Sequence, residues 1–146
     1  MDRVAFLFTA NAGLAPQPVE KIASGGEISR VMLALKALVA RSMRLPTIIF
    51  DEIDTGVSGQ IADAMGRIIA KLSQSMQVIN ITHLPQVASK GKTHFVVYKE
   101  DTLLGTTTSI RQLSARERID EIAKMLSGST VTAAAIEQAK CLLNAK

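Results

Sequence analysis

Two adjacent carboxylates follow an apolar run near the middle of the chain. Asp51 and Glu52 come directly after Thr47-Ile48-Ile49-Phe50, which is the pattern of a strand buried on both faces. Ligands gather at the carboxyl edge of such strands in open α/β sheets. One acidic residue there often marks only where a strand reaches solvent, but two in tandem favour a shared task. The pattern predicts that Asp51 holds Mg²⁺, directly or through water, and that Glu52 orients or deprotonates an attacking water.

A second candidate segment is Ser24-Gly25-Gly26-Glu27, at the start of a predicted helix. Ser24 and Glu27 have the spacing of a capping box, which is purely structural and needs no ligand. A capping box does not require glycine, and each glycine in a helix costs up to about 1 kcal/mol relative to alanine. Glycines let a ligand approach the backbone, and the free N–H groups of a helix N-terminus favour an anion. The segment therefore predicts contact with a phosphate group.

The third candidate is His83, which follows the apolar run Val78-Ile79-Asn80-Ile81 and Thr82. A lone histidine is more often a structural hydrogen-bonding residue than a catalytic one. The order strand, helix, strand indicates a parallel βαβ unit, so the carboxyl ends of both strands should meet at one edge of the sheet. His83 is then predicted to lie within reach of the ligand that Asp51 and Glu52 bind.

Two other catalytic patterns are incomplete. Gly91-Lys92-Thr93 resembles the end of a phosphate-binding P-loop, but Gln86 stands where the first glycine belongs, and a strand pattern follows. A hydrolase triad of Ser24, His83 and Asp51 has the residue types without the Gly-x-Ser-x-Gly turn. The sequence thus contains no P-loop and disfavours a serine hydrolase.

The elements that must position these residues follow from the spacing of apolar side chains. Residues recurring every three to four positions predict helices, and short apolar or β-branched runs between turn residues predict strands. The predicted helices span residues 24–41, about 61–72, about 119–127 with a stop at Gly128, and 132–143. The predicted strands are 4–9, 47–50 and 78–81, the last two both buried, and a pair at 95–99 and 106–113.

Composition limits the class of protein. The chain has 146 residues, with 17 Lys and Arg against 13 Asp and Glu, which gives a net charge of +4 and the size of one domain. Its only cysteine, Cys141, excludes an intramolecular disulfide and a cysteine-based zinc site. No apolar run approaches the roughly 18–20 residues of a membrane span, and no signal peptide is evident. We expect a cytoplasmic domain spanning residues 1–146, cut from a longer protein because it starts inside a strand.

The order of the three motifs carries a resemblance. A Ser-Gly-Gly helix start, a strand ending in Asp-Glu and a strand ending in Thr-His resemble the carboxyl-terminal half of an ABC-type ATPase head. Residues 23–30 and 50–59 closely resemble the RecN family of bacterial SMC-like DNA repair proteins, and residues 6–11 are similar to the segment that precedes the signature motif there. The resemblance covers essentially the whole chain.

The resemblance implies a fold and a role for each motif. The implied fold is the α/β carboxyl-terminal lobe of a P-loop NTPase of the ABC type, a largely parallel sheet flanked by helices, without the Walker A half. Asp51 is implied as the Mg²⁺ ligand, Glu52 as the catalytic base and His83 as the switch histidine. The implied signature motif, which contacts ATP held by the opposing subunit, is Ser24, Gly25, Gly26 and Glu27, and the implied D-loop is Thr55, Gly56, Val57 and Ser58.

The resemblance also implies partners. Two copies of the full-length protein would form a head-to-head homodimer around ATP and Mg²⁺, each head completed by the N-terminal half that this sequence lacks. The implied activity is ATP hydrolysis in the repair of DNA double-strand breaks and in recombination, close to the nucleoid, and the fragment alone should be inactive. The alternatives are a head of another SMC-like or transporter ATPase, and a scaffold that binds DNA or a partner through its basic surface without nucleotide.

Overall fold

The computed structural model describes residues 4–9, 13–21, 25–102, 105–128 and 130–145. Contacts between residues group the chain into two compact units, residues 1–82 and residues 83–146. Residues 22–24, and with them Ser24 and its predicted capping box, lie outside the described residues. That residues 1–146 form one domain of a longer head stays a prediction.

The described residues of the first unit form four short strands and two long helices. The strands are β1 (Leu7–Phe8), β2 (Gln17–Pro18), β3 (Thr47–Asp51) and β4 (Gln77–Ile81), and the helices are α1 (Gly25–Ser42) and α2 (Gly59–Leu72). β1 pairs with β2 antiparallel, and a 3₁₀ turn at Val19–Lys21 follows. The strand predicted at residues 4–9 is therefore only two residues long, whereas the predictions for α1, β3, α2 and β4 are confirmed.

The pair β3 and β4 is parallel, as the βαβ order predicts. Thr47 lies opposite Gln77 and Asp51 opposite Ile81, so the two strands start and end together. Helices α1 and α2 together line an apolar cleft of about 370 Å³. The buried apolar residues of this unit are Leu33, Ala40, Phe50, Ile53, Ala62, Met65, Ile69 and Leu72.

The prediction that β3 and β4 are buried on both faces is wrong. Phe50 is fully buried, but Ile49 is 59% exposed, and its neighbours on the same face, Ile79 and Ile81, are 44% and 51% exposed. Helix α1 likewise leaves a row of apolar residues exposed, which we call the α1 stripe: Ile28, Met32, Leu35 and Val39. An apolar run shows that a face favours burial, but not which polypeptide covers it.

In the second unit, the part of the chain that the structure describes forms a hairpin and three helices. These are α3 (Pro85–Ala88), β5 (Phe95–Thr102), β6 (Gly105–Gln112), α4 (Ala115–Ser127) and α5 (Ala133–Asn144). β5 and β6 are antiparallel, and Gly128 ends α4 with a φ of 75°, as the sequence predicts. The short helix α3 was not predicted, although a proline at the first helical position is a known start signal. The α/β class is confirmed, with β3 and β4 the parallel pair among the described strands.

The Arg118 side chain on α4 forms hydrogen bonds with three backbone carbonyl groups of this unit. The carbonyl oxygens of Ser89, Gly91 and Lys92 accept hydrogen bonds from the Arg118 guanidinium. The segment Gly91-Lys92-Thr93 is followed by the strand β5, whereas a P-loop is followed by a helix, so its likeness to a P-loop is superficial.

Among the described residues, no helix combines the length and the apolar character needed to cross a bilayer.

Candidate functional site

The two candidate carboxylates lie at the carboxyl edge of the parallel strand pair. Asp51 is the last residue of β3 and lies opposite Ile81, the last residue of β4. The Glu52 amide donates to the Ile81 carbonyl at 3.0 Å, which continues the pairing one residue beyond β3. Asp51 and Glu52 are both exposed. This edge leaves two neighbouring carboxylates open to a ligand.

Glu52 has an unusual backbone conformation. Its φ is 45°, in the left-handed region that residues other than glycine rarely adopt. Its carbonyl accepts hydrogen bonds from the Thr55 amide at 3.2 Å and from the Thr55 hydroxyl at 2.8 Å. These bonds, together with the bond to Ile81, hold the backbone in this conformation. Strain of this kind is concentrated at functional sites.

Asp54 anchors the turn that follows the carboxylates. Its side chain is 1% exposed, and one carboxylate oxygen accepts a hydrogen bond from the Thr82 hydroxyl just beyond β4. The other oxygen, Oδ1, is buried and has no hydrogen-bond partner among the described residues. The turn is therefore tied to the ends of both strands. Sequence reasoning assigned no role to Asp54, because nothing in the pattern distinguishes a buried aspartate from one that faces solvent.

The two glycines at the start of α1 have different surroundings. A Cβ atom added to Gly25 would meet no atom of the described residues within 4 Å, whereas one added to Gly26 would lie 2.7 Å from the Gly56 carbonyl oxygen. Gly56 itself has a φ of +79°. Gly25 is thus exposed, whereas Gly26 allows the backbone of the turn at Gly56 to approach the helix. Sequence analysis predicted the same role, contact with a phosphate group, for both glycines.

Ser29 adds a second link between α1 and the same turn. Its hydroxyl oxygen lies 2.9 Å from the Thr55 carbonyl oxygen and 3.0 Å from the Gly25 carbonyl oxygen. Sequence analysis overlooked Ser29, although a serine one turn after a helix start is a common donor to the carbonyl four residues earlier. The start of α1, with Glu27 half-buried there, and the predicted D-loop are thus in direct contact.

His83 is exposed and is the first residue of the second unit. Its predicted position near Asp51 and Glu52 therefore stays a prediction. The described residues include no cluster of three histidine, cysteine, aspartate or glutamate side chains that could hold a metal ion. Mg²⁺ at a nucleotide site needs only one or two carboxylates, because phosphate oxygens and waters supply the other ligands. The single exposed carboxylate of Asp51 at a strand end fits that requirement.

Known proteins resemble this chain along almost its whole length. A protein of Rickettsia bellii named DNA repair protein RecN is 45% identical over 143 residues, which are 98% of this chain. The chain is homologous to part of RecN. The protein of the same name from Bacillus subtilis is 46% identical over 98% of this chain. The chain spans 25–26% of the length of these two RecN relatives. No protein-family model matches the chain.

Solved structures establish the fold. The Smc head domain with a coiled coil and joint from Pyrococcus yayanosii has a TM-score of 0.64 at 22% identity, covering 88% of this chain and 21% of that one. A chain from work on ATP-driven dimerization and DNA-stimulated activation of SMC ATPases has a TM-score of 0.66 at 21% identity, covering 82% and 71%. The chain therefore has the fold of part of an SMC head domain, which is a P-loop NTPase fold.

Proposed function

We propose that this chain is the carboxyl-terminal part of the ATPase head of a RecN-like protein that acts in DNA double-strand break repair and recombination. The observation that carries the proposal is the arrangement at one edge of β3 and β4. Asp51 and Glu52 end a parallel strand there, and the turn after them packs on Gly26 at the start of α1. This arrangement joins acid–base chemistry and a phosphate-binding helix end in one small region.

Asp51 would hold Mg²⁺, which offsets the negative charge of the ATP phosphates when it is bound. Glu52 accepts a proton from the water that attacks the γ-phosphorus. The bond between that phosphorus and the β–γ bridging oxygen breaks, and ADP leaves with the electron pair. The strained backbone of Glu52 supports this role, because three hydrogen bonds hold its backbone in place and so fix the direction of the Cα–Cβ bond from which the side chain extends.

The signature motif and D-loop act on a second subunit. Two heads sandwich ATP. The signature motif of one copy contacts the γ-phosphate held by the opposing copy; this motif is Ser24, Gly25 and Gly26, followed by Glu27. The exposed N-terminus of α1 at Gly25 supports that contact. The D-loop, Thr55 to Ser58, crosses the interface, and His83 lies near the γ-phosphate. Loss of the γ-phosphate on hydrolysis then loosens the homodimer.

The exposed apolar faces of this chain support the proposal that another part of the head covers them. The α1 stripe and the sheet face around Ile49 are large apolar surfaces that favour burial. The RecN relatives are about four times as long as this chain, so most of the polypeptide that could cover these faces lies outside it. We infer that the N-terminal half of the head, with the Walker A motif, packs there. The chain alone should therefore not hydrolyse ATP.

The names of the relatives support a role in DNA repair. A protein with a charge of +4 would contact DNA mainly through phosphates, and such contacts are salt-dependent. We propose that DNA binds the full-length protein in the cytoplasm, at the nucleoid, and that ATP-driven closing of the heads controls this binding.

Glu52→Gln in the full-length protein tests the proposal. Glutamine keeps the size and removes the basic carboxylate, so ATP should still bind and dimerise the heads while kcat falls at least about a hundredfold. The matched control is Glu137→Gln on the exposed surface of α5, which should leave kcat unchanged. Steady-state ATPase assays and sedimentation with ATP provide the two readouts. Turnover of Glu52→Gln at the level of Glu137→Gln would overturn the role of Glu52.

A further inference from the structure

A single hydroxyl joins the two elements that would act on the opposing subunit. Ser29 Oγ lies 2.9 Å from the carbonyl oxygen of Thr55, in the predicted D-loop, and 3.0 Å from that of Gly25, at the start of α1. A serine hydroxyl has one proton, so it donates to one of these oxygens at a time. Ser29 can therefore hold the turn, or release it and keep a full hydrogen bond within its own helix.

The surroundings of this hydroxyl make the link specific. The Gly56 carbonyl is so close to Gly26 that no side chain fits between the helix and the turn. Gly56 also needs its positive φ, and a Cβ there would lie 3.2 Å from the Gly26 amide nitrogen. The helix start and the turn are thus in backbone-to-backbone contact, with the Ser29 hydrogen bond beside it.

The other end of the turn is fixed independently. Asp54 is buried, and its carboxylate accepts a hydrogen bond from the Thr82 hydroxyl. Within the turn itself, the Val57 amide donates to the Asp54 carbonyl at 3.3 Å, so exchange of this amide reports on the turn. A change at Ser29 should therefore free the turn from α1 without detaching it from the strands.

We propose that Ser29 is a positioning residue that latches the D-loop turn to the signature helix. The two elements are then presented to the other subunit as one surface, and the latch opens at low cost because Gly25 offers a second acceptor. This inference rests on the proposed function, since it concerns the surface that meets the opposing ATP. Ser29 itself does not contact nucleotide.

Hydrogen exchange in the full-length protein without ATP tests the latch directly. In Ser29→Ala, the amides of Thr55 and Val57 should exchange about five- to tenfold faster, the factor that one ordinary hydrogen bond is worth. Ser29→Thr keeps the hydroxyl and should restore exchange to within about twofold. Ser42→Ala, at the other end of α1, is the matched control and should change nothing. Equal exchange in Ser29→Ala and Ser42→Ala would overturn the latch, whatever the protein does with ATP.

Dimerisation then tests the consequence for the interface. In the Glu52→Gln background, Ser29→Ala should weaken ATP-dependent dimerisation about five- to tenfold, with the ATP affinity of the monomer unchanged. Ser29→Thr should dimerise like the parent. If Ser29→Ala dimerises as tightly as Ser42→Ala, the positioning role is wrong and the proposed function stands. If the parent itself does not dimerise with ATP, the proposed function fails, and the exchange result still decides the latch.

Discussion

The two units of the chain differ in how their backbone polar groups are capped and in which surfaces they expose. In the second unit, side chains close the open backbone groups: Ser114 and Glu117 form a capping box on α4, the Thr132 hydroxyl caps α5, and Arg118 bonds three carbonyls. Hydrogen bonds from Ser114 and Arg111 lower the pKa of Glu117 to about 2. The first unit leaves the α1 stripe and its candidate site exposed. The hairpin of the second unit also exposes Phe95, Val97 and Ile110, so exposed apolar residues alone do not separate the two units. Side-chain caps therefore contribute to the local stability of the second unit, whereas we propose that the exposed α1 stripe and candidate site of the first unit meet other polypeptide and a ligand.

Residues of α1 provide the sharpest test of this contrast. Leu33 is 1% exposed and Leu35 is 43% exposed, two positions apart on one helix. In the 146-residue chain, Leu33→Ala should lower the free energy of unfolding by about 3 kcal/mol, because it leaves a cavity. Leu35→Ala should change it by less than about 0.5 kcal/mol. Urea denaturation followed by circular dichroism measures both.

The cost of Leu35→Ala, measured in the 146-residue chain and in the full-length protein, shows whether another part of the protein covers the α1 stripe. In the full-length protein, Leu35→Ala should cost about 2 kcal/mol, because the α1 stripe is then buried. A cost near zero in both proteins would show that nothing covers the stripe, and the contrast between the units would lose its basis.

Arg118 tests how the second unit is held together. Arg118→Met keeps the apolar stem and removes the donors to the carbonyls of Ser89 and Lys92, so unfolding should become easier by about 2 kcal/mol. The amides of α3 should exchange faster at the same time. Arg116→Met, on the exposed side of the same helix, is the control and should be nearly neutral. Equal effects of the two variants would contradict the closing role of Arg118.

The smallest expected effect comes from glycine substitutions at two residues with a positive φ, one at the candidate site and one at the end of a helix. Glu52 and Arg44 have φ values of 45° and 50°. Arg44 follows α1 where glycine is usual, since the Leu45 amide donates to the Ala40 carbonyl at 3.0 Å. Glycine at either position should stabilise the chain by about 1 kcal/mol, because it adopts this conformation without a steric penalty.

Only one of these two substitutions should affect function. Glu52→Gly should abolish ATP turnover by the full-length protein, whereas Arg44→Gly should leave it intact. Thermal unfolding and ATPase assays give the two readouts. A loss of stability in Glu52→Gly would show that its conformation is not strained.

Much of the fold was predictable because it is local. The periodicity of α1 and α2, the order of β3 and β4, and Gly128 after α4 each follow from short-range preferences of the backbone. The capping box at Ser114 and Glu117 has an equally local signal, serine with glutamate three residues later, and sequence reasoning overlooked it. The positions of Asp51 and Glu52 at a strand end were predictable for the same reason.

The sequence by itself determined which residues are available for chemistry, where the helices and strands form, and that the chain resembles RecN. Only the tertiary structure decided that Gly26 serves the approach of Gly56, that Asp54 is buried, and that Ser29 reaches Thr55. It also decided that Ile49 is exposed in this chain. The physical reason is distance along the chain, because these contacts join residues some 25 to 30 positions apart. Burial likewise depends on which other part of the protein packs against a residue, and local sequence does not specify this.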